Sequence, residues 1–325
     1  MTEQPIDAVI TWVDGNDPNH KDKMAPYLNA QFGVQNNNTL PEDLAGTTRF
    51  RTVGEIYFCL ASLLRFAPFI RKIFIVTDGQ DPQIDFFLRH NFPHNTIPIE
   101  LVDHKSIFRG NEQVLPVFNS LSIETVLYRI PGLSEQFVYL NDDVFLVRPT
   151  IASDWFQDHK AVAYGKWMWG GGIKLLRLFK SKKSFGFKDS IVNSLQWLPK
   201  EGYCFKIDHT PHALLKSVLQ EFFEQHPKAL KSNIGHRFRH HTQFNPQALF
   251  YTLALRNGKA IRNSINRSIC MKPSRNKNNY IARKKKNVEK ENQIKFICIN
   301  SLDLASHQEQ EEVRSWLSSL YNITL

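Results

Sequence analysis

The chain reads as an α/β protein built on a mainly parallel sheet flanked by helices, and three observations lead there. Short β-rich runs alternate with stretches of helical apolar spacing, the order that produces βαβ units. Three of those β-runs end in an acid beside glycine or asparagine: Val13-Asp14-Gly15, Thr77-Asp78-Gly79 and Asn141-Asp142-Asp143. At 325 residues and 42% hydrophobic, the chain can bury a large core as one catalytic domain spanning 1–325.

Taken in order, Asp7–Val13 (DAVITWV) is β-rich and stops at the turn cluster Asp14-Gly15-Asn16-Asp17-Pro18. Residues 19–48 form a polar excursion. Gly54–Ile70 has helical spacing, with Ile56, Cys59, Leu60, Leu63 and Leu64 on one face. Lys72–Gly79 is a strand, Ile99–Asp103 a weaker one, and Asn119–Arg129 a helix. Phe137–Asp143 is a strand that drives an apolar run into two adjacent carboxylates. Buried acids are costly unless paired or metal-bound, so this strand end should open into a polar cleft.

Beyond Pro149 the pattern loosens. Residues 150–205, with the aromatic and glycine-rich Tyr164–Gly172, read as a helical or irregular insertion or lid. His212–His226 and Gln247–Leu255 are expected helices, Phe296–Asn300 a late strand, and Ser306 with Glu309 a capping box opening a last helix to about Tyr321.

Residues 260–293 read as an exposed basic loop: between Arg262 and Lys290 ten Lys or Arg stand against Glu289 alone, within a chain of net charge +10. Such a stretch suits an anionic membrane surface or a polyanion. No RNP, helix-turn-helix or zinc-finger pattern accompanies it, so nucleic acid is not an expected partner. Cys59, Cys204, Cys270 and Cys298 are scattered without a CxxC pair, giving neither a zinc site nor a disulfide framework. The first residues lack a signal-peptide layout and no run approaches about 18 apolar residues, so a cytoplasmic address is expected, with peripheral contact at the inner membrane face.

Parallel strands present their carboxyl ends on one edge, so the acids of the three strand ends should converge. Convergent carboxylates suit a divalent cation, Mg²⁺ or Mn²⁺, bridging the protein to a nucleotide-sugar diphosphate. Walker A and GxGxxG loops are absent, which argues against NTP hydrolysis and dinucleotide redox chemistry.

Four ordered blocks, Ile6–Pro18, Arg49–Pro82 with Phe118–Pro149, Asp208–Phe222 with His236–Phe244, and Phe296–Ser301, resemble those of the Stealth phosphotransferases. The resemblance implies a Rossmann-like core related to the GT-A nucleotide-sugar fold. It implies transfer of a sugar-1-phosphate from a nucleotide sugar, a UDP-linked hexose or N-acetylhexosamine, to a hydroxyl of a capsular or surface polysaccharide, releasing a nucleoside monophosphate.

Carried over residue by residue, it makes Trp12, Asp14, Gly15 and Asp17 candidates for holding the nucleotide. Arg49, Asn119, Asn141 and His240 become candidate substrate contacts. Asp142, Asp143 and Asn300 are candidate metal ligands, and Asp143 is equally a candidate base for the acceptor hydroxyl. His209 is a candidate acid or base. Arg239 offers a guanidinium fork to phosphoryl oxygens. The chain departs from the family where Tyr57 and Ala61 replace two arginines and Ser301 replaces an aspartate, which Asp303 is near enough in sequence to substitute. Two other classes fit less of the pattern: a GT-A glycosyltransferase releasing a nucleoside diphosphate, and a non-catalytic glycan- or membrane-binding protein.

Overall fold

The computed structural model describes residues 4–32, 54–172, 186–198, 202–272 and 279–325. Its first sheet starts with β1 (Ile6–Thr11), followed by α1 (Pro18–Phe32) and α2 (Glu55–Phe66). Then come β2 (Lys72–Thr77), α3 (Ile84–Asn91), β3 (Ile99–Asp103), α4 (His104–Ile107), α5 (Ser120–Thr125) and β4 (Gln136–Asn141). The strand order is β3-β2-β1-β4, all parallel, so the chain winds to one side of β1 and then crosses to the other. That reversal lies between β1 and β4, the place where open α/β sheets bind ligands. Register sets Thr11 beside Asn141 there. These strands are buried on both faces and read as continuous apolar runs, as parallel strands do.

The fifth strand departs from expectation. Residues 212–226 are a strand, β9 (His212–Leu215), antiparallel to β4, before the helix α7 (Lys216–Gln225) begins. His-Ala-Leu-Leu carries no alternation because all four residues are buried, and a histidine with three apolar residues ahead of a helix reads as its first turn. The expected helix over 119–129 is likewise shorter: α5 ends at Thr125 and a 3₁₀ turn covers Leu127–Arg129.

A second sheet replaces the expected irregular insertion. Between β4 and β9 lie β5 (Val144–Leu146), β6 (Phe156–Gln157), β7 (Lys160–Trp169), α6 (Phe187–Asn193) and β8 (Tyr203–Ile207). The ten-residue β7 pairs with β6, β8 and the later β10 (Ala260–Asn263). Trp155 and residues 161–164 are buried, so this stretch is core and not a detachable lid. Its aromatics and glycines signal a twisted strand; Gly165 is required because a Cβ there would stand 2.2 Å from the Lys206 carbonyl oxygen.

After α7 come α8 (Pro227–Ile234) and α9 (Pro246–Arg256). The expected basic loop at 260–293 then consists of β10, β11 (Ser268–Met271) and α10 (Tyr280–Lys290), with 273–278 outside the described residues. Ile281 and Val288, seven residues apart, bury one stripe of α10 and suffice to dock it. Three basic side chains still pack on aromatic rings, Arg283 and Lys284 over Tyr280 and Lys285 over Trp316. β12 (Phe296–Ile299) joins β11 in parallel and β5 antiparallel, and α11 (His307–Tyr321) opens with the expected capping box. No helix among the described residues is long and apolar enough to cross a membrane.

Candidate active site

The carboxyl ends of β1 and β4 open into a cavity of about 690 Å³ that contains Trp12, Asn119, Asn141, Asp142, Asp143, His209, Arg239 and Asn300 among its walls. The two acids follow β4 and precede β5, whose pairing with β12 fixes them from the far side; the Ile299 amide donates to the Asp143 carbonyl oxygen at 2.9 Å.

Asp143 is held by one carboxylate oxygen only. Its Oδ2 accepts from Asn300 Nδ2 at 3.4 Å and from Cys298 Sγ at 3.6 Å, whereas buried Oδ1 has no hydrogen-bond partner among the described residues. Desolvation, then Glu55, pushes the Asp143 carboxyl up to about 6, against the opposing pull of Cys298 and Asn300. Asp142 is pushed well above the carboxylate range by desolvation, then by Glu55 and Asp143. Glu55 enters from the first turn of α2, so three acids crowd one end of the cavity. At the β1 end the buried indole N–H of Trp12 likewise has no partner among the described residues. Orphaned buried polar atoms on a cavity wall cost about 1–3 kcal/mol each, which a ligand would recover.

Hard oxygen donors of this kind fit Mg²⁺, which takes one or two carboxylates and leaves its other positions to water and substrate phosphates. No group of three His, Cys, Asp or Glu gathers as a metal cage among the described residues.

The cavity wall also carries cations, Arg239 and Lys272. Arg239 Nη2 donates to Ser120 Oγ at 2.8 Å. Desolvation pulls its pKa below the usual arginine value while Glu124 opposes. Glu124, buried on α5, is pushed up by desolvation, against Arg239 and hydrogen bonds from Gln247, Tyr139 and Ser120. Tyr139 links this wall to the strand ends: its hydroxyl lies 3.0 Å from Thr11 Oγ1, 3.2 Å from Glu124 Oε1, and donates to Asn141 Oδ1. His209 follows β8, half-buried, its ring stacked on Phe187 at 5.0 Å. Desolvation, then Lys272, hold it below the ordinary histidine value, so it is neutral and basic at pH 7.

The remaining strand-end acids do not join this cavity, although their strands share its edge. Asp14, Gly15 and Asp17 form a turn clasped by Gln80: its Oε1 accepts from the Asp14 amide at 2.9 Å, and its Nε2 donates to Asp14 O at 2.9 Å and Asp17 Oδ2 at 2.8 Å. Asp17 Oδ1 accepts from the Asn19 amide, capping α1. Asp78 pairs with Lys23 at 2.5 Å and faces His20 and His104. Asn119 lines the cavity with its amide committed to protein: Oδ1 caps α5 through the Leu121 amide and Nδ2 donates to Gln243 Oε1 at 2.8 Å. His240 stacks on His236 at 4.3 Å and bonds Thr242, away from the cavity wall. Arg49 lies outside the described residues.

Glu55, Glu124, Tyr139 and Thr11 are among the cavity residues that the motifs did not single out. Glu124 carried a signal, an acid embedded among Leu121, Ile123, Val126 and Leu127; Tyr139 carried none, since a tyrosine in a buried strand reads as core.

Residues 4–31 match the family profile described as Stealth protein CR1, conserved region 1, and residues 49–164 that of Stealth protein CR2, conserved region 2. The capsular polysaccharide phosphotransferase WcwK of Streptococcus pneumoniae is 31% identical over 265 residues, 74% of this chain and 75% of that protein. LcbA of Neisseria meningitidis, another capsular polysaccharide phosphotransferase, is 30% identical over 80% of this chain and 67% of its own length. The exopolysaccharide phosphotransferase SCO6023 of Streptomyces coelicolor is 32% identical over 80% of this chain; the chain spans 42% of that protein and 22% of its longer relative SCO2592. Among solved structures, the galactosyltransferase LgtC aligns over 98% of this chain and 96% of its own at 11% identity with a TM-score of 0.45, too loose to carry an inference. On the profiles and the pneumococcal and meningococcal relatives, the chain belongs to the Stealth protein family.

Proposed function

We propose that the protein transfers a sugar-1-phosphate from a nucleotide sugar to a hydroxyl of a polysaccharide acceptor, forming a phosphodiester and releasing a nucleoside monophosphate. The observation that carries this reading is the partnerless Oδ1 of Asp143, beside Asp142 and facing Arg239 and His209 in one cavity. The names of the relatives, capsular and exopolysaccharide phosphotransferases, agree with it.

The acceptor oxygen attacks the phosphorus that bears the sugar, the bridging P–O bond breaks, and its electron pair leaves with the nucleoside monophosphate. Neutral His209 takes the hydroxyl proton. Arg239 meets the charge that spreads over the equatorial phosphoryl oxygens in the loose transition state, its fork hydrogen-bonded to Ser120 and its charge favoured by nearby Glu124. The Trp12 N–H supplies a donor at the nucleotide end. Asp142, Asp143 and Asn300 would hold Mg²⁺ or Mn²⁺, which supplies charge neutralisation to the diphosphate when bound. The exposed basic face of α10 would bring the enzyme to phosphate-rich polymer or to an anionic inner membrane face.

Product analysis tests the reaction. Purified protein is incubated with UDP- and GDP-sugars and a panel of polysaccharides. A phosphodiester resonance in the phosphorus NMR with stoichiometric nucleoside monophosphate is expected; a nucleoside diphosphate with no phosphodiester would replace this reading with glycosyl transfer.

A further inference from the structure

Next to the acid-lined cavity lies a second one of about 730 Å³, enclosed by β7, β8, β10 and residues 262–272. Phe187, Asp208, His209 and Lys272 line both cavities, so His209 stands at the divide. The two differ in charge. Lys166, Lys188, Lys206, Arg262 and Lys272 line the second cavity against two acids, Asp189 and Asp208, and the Asp189 carboxylate already accepts from the Gly186 amide at 2.8 Å.

The placement of the lysines has a physical consequence. Lys166 and Lys206 are direct partners across the antiparallel β7–β8 pair. Side chains so placed lie about 5 Å apart at Cβ, and like charges there destabilise the sheet. Neither lysine pairs with a carboxylate among the described residues, so no ion pair there offsets the repulsion. Arg262 adds a fixed cation, its Nε donating to the Gly165 carbonyl at 3.0 Å. An anion between these groups would turn the repulsive pair into a two-pronged site.

Three features separate this anion from the donor's diphosphate. The donor's place beside the β1–β4 switch point is on the other side of His209. Among the described residues the only Phe, Tyr or Trp lining the second cavity is Phe187, and its ring is stacked on His209, which leaves it unavailable to a base. A polymer built by sugar-1-phosphate transfer itself carries a phosphodiester at each joint. We infer that the second cavity binds a phosphodiester of the acceptor glycan and so delivers the neighbouring hydroxyl to His209; this rests on the proposed transfer reaction.

A glycerol-phosphate trimer is a defined phosphodiester probe, with maltotriose, inorganic phosphate and UDP as the other arms. Titration calorimetry at low salt compares the wild type with the Lys166→Gln/Lys206→Gln double variant. The trimer is expected to bind the wild type and to bind the variant about tenfold more weakly or worse, since two cations leave the site. Maltotriose should distinguish the proteins not at all, and UDP should bind both alike. The variant should melt no lower than the wild type without ligand, because a like-charge pair has been removed. Equal trimer affinity in the two proteins would overturn the site. Inorganic phosphate binding as tightly as the trimer would reassign it to free phosphate, and UDP displacing the trimer would reassign it to the donor. Lost binding in the variant supports the site even in a protein that makes no phosphodiester, and retained binding sinks it even in an active transferase, so the two failures read separately.

Discussion

Replacing Asp143 with Asn should make the cation-free protein more stable at pH 8 while abolishing transfer. The folded Asp143 carboxyl sits at about 6 instead of its ordinary 3.8, so between those values the folded chain holds a proton that the unfolded chain has lost. Stability contributed by this group is therefore fully present below about pH 4 and falls as pH rises through about 6. At 1.36 kcal/mol per pH unit the ionised carboxylate costs the folded state about 3 kcal/mol, and partial access of cavity water brings this nearer 1–3 kcal/mol. The Asn amide oxygen can still accept from Asn300 and Cys298, while its NH₂ takes the position of the partnerless Oδ1.

Thermal melts in EDTA across pH 4–8 would read the effect. For 325 residues, 1–3 kcal/mol corresponds to about 2–4 °C, with the variant above the wild type at pH 8 and the two converging near pH 4. Adding Mg²⁺ or Mn²⁺ should raise the wild type, by about 2.7 kcal/mol at a hundredfold excess over Kd, and leave the variant almost unmoved. A variant that melts below the wild type at pH 8 in EDTA would refute the claim that this carboxylate is held at a cost. A wild type indifferent to both cations would refute the metal assignment.

Three further outcomes are expected. Arg239→Ala should lower turnover about a hundredfold or more and also destabilise the fold, because buried Glu124 loses its cation; Arg239→Lys should restore stability better than turnover. If Arg239→Ala changed only KM, the arginine would belong to ground-state binding. His209→Ala should cost a similar factor in turnover, and the acidic limb of the wild-type rate should lie below 6.5. Lys272→Met should move that limb upward, since the Lys272 charge helps hold His209 down, and an unmoved limb would exclude His209 as the titrating base. Neutralising Arg283, Lys284 and Lys286 on α10 with Gln should weaken sedimentation with anionic vesicles or long phosphopolymer, most at low salt, and spare transfer to a short acceptor; the reverse pattern would place α10 in the active site.

The three strand-end acids looked alike in sequence and met three fates. Asp78 is held by Lys23 from α1, and Asp14 and Asp17 by Gln80, all partners that lie 55 to 66 residues away or close to it. Asp143 instead keeps one buried carboxylate oxygen that no hydrogen-bond partner reaches among the described residues. Local pattern located the sheet edge because strand ends are written locally, but the division between structural and functional carboxylates depends on which distant side chain arrives. The same reason hid Tyr139, whose hydroxyl finds Thr11 at a separation of 128 residues. β9 was missed for a different cause: a fully buried four-residue strand has no alternation to betray it. The docking of α10 was missed because only two of its side chains are buried, and charge dominates any window that contains them.

The charges around the first cavity place a demand on the proposed donor. A nucleotide-sugar diphosphate is anionic, and it would enter beside Glu55, Asp142 and Asp143. Like charges about 6 Å apart repel by about 3 kcal/mol per pair at an effective dielectric of 20. Arg239 and Lys272 are the Lys or Arg side chains among the described residues lining this cavity, and Glu124 already opposes part of the Arg239 charge. One shared guanidinium and one ammonium cannot offset three carboxyls and a diphosphate, so the donor either meets protonated acids or arrives with a divalent cation. Protonation would leave Asp142 and Asp143 as hydrogen-bond donors and favour acidic pH, at which His209 begins to lose its basic form. A bound divalent cation would answer both ends together: Asp142 and Asp143 would hold it in their ionised form, with the partnerless Asp143 oxygen as one donor, and His209 would stay neutral at pH 7. On this argument donor binding and metal binding are mutually supportive, and each should tighten the other by the same factor when titrated in either order.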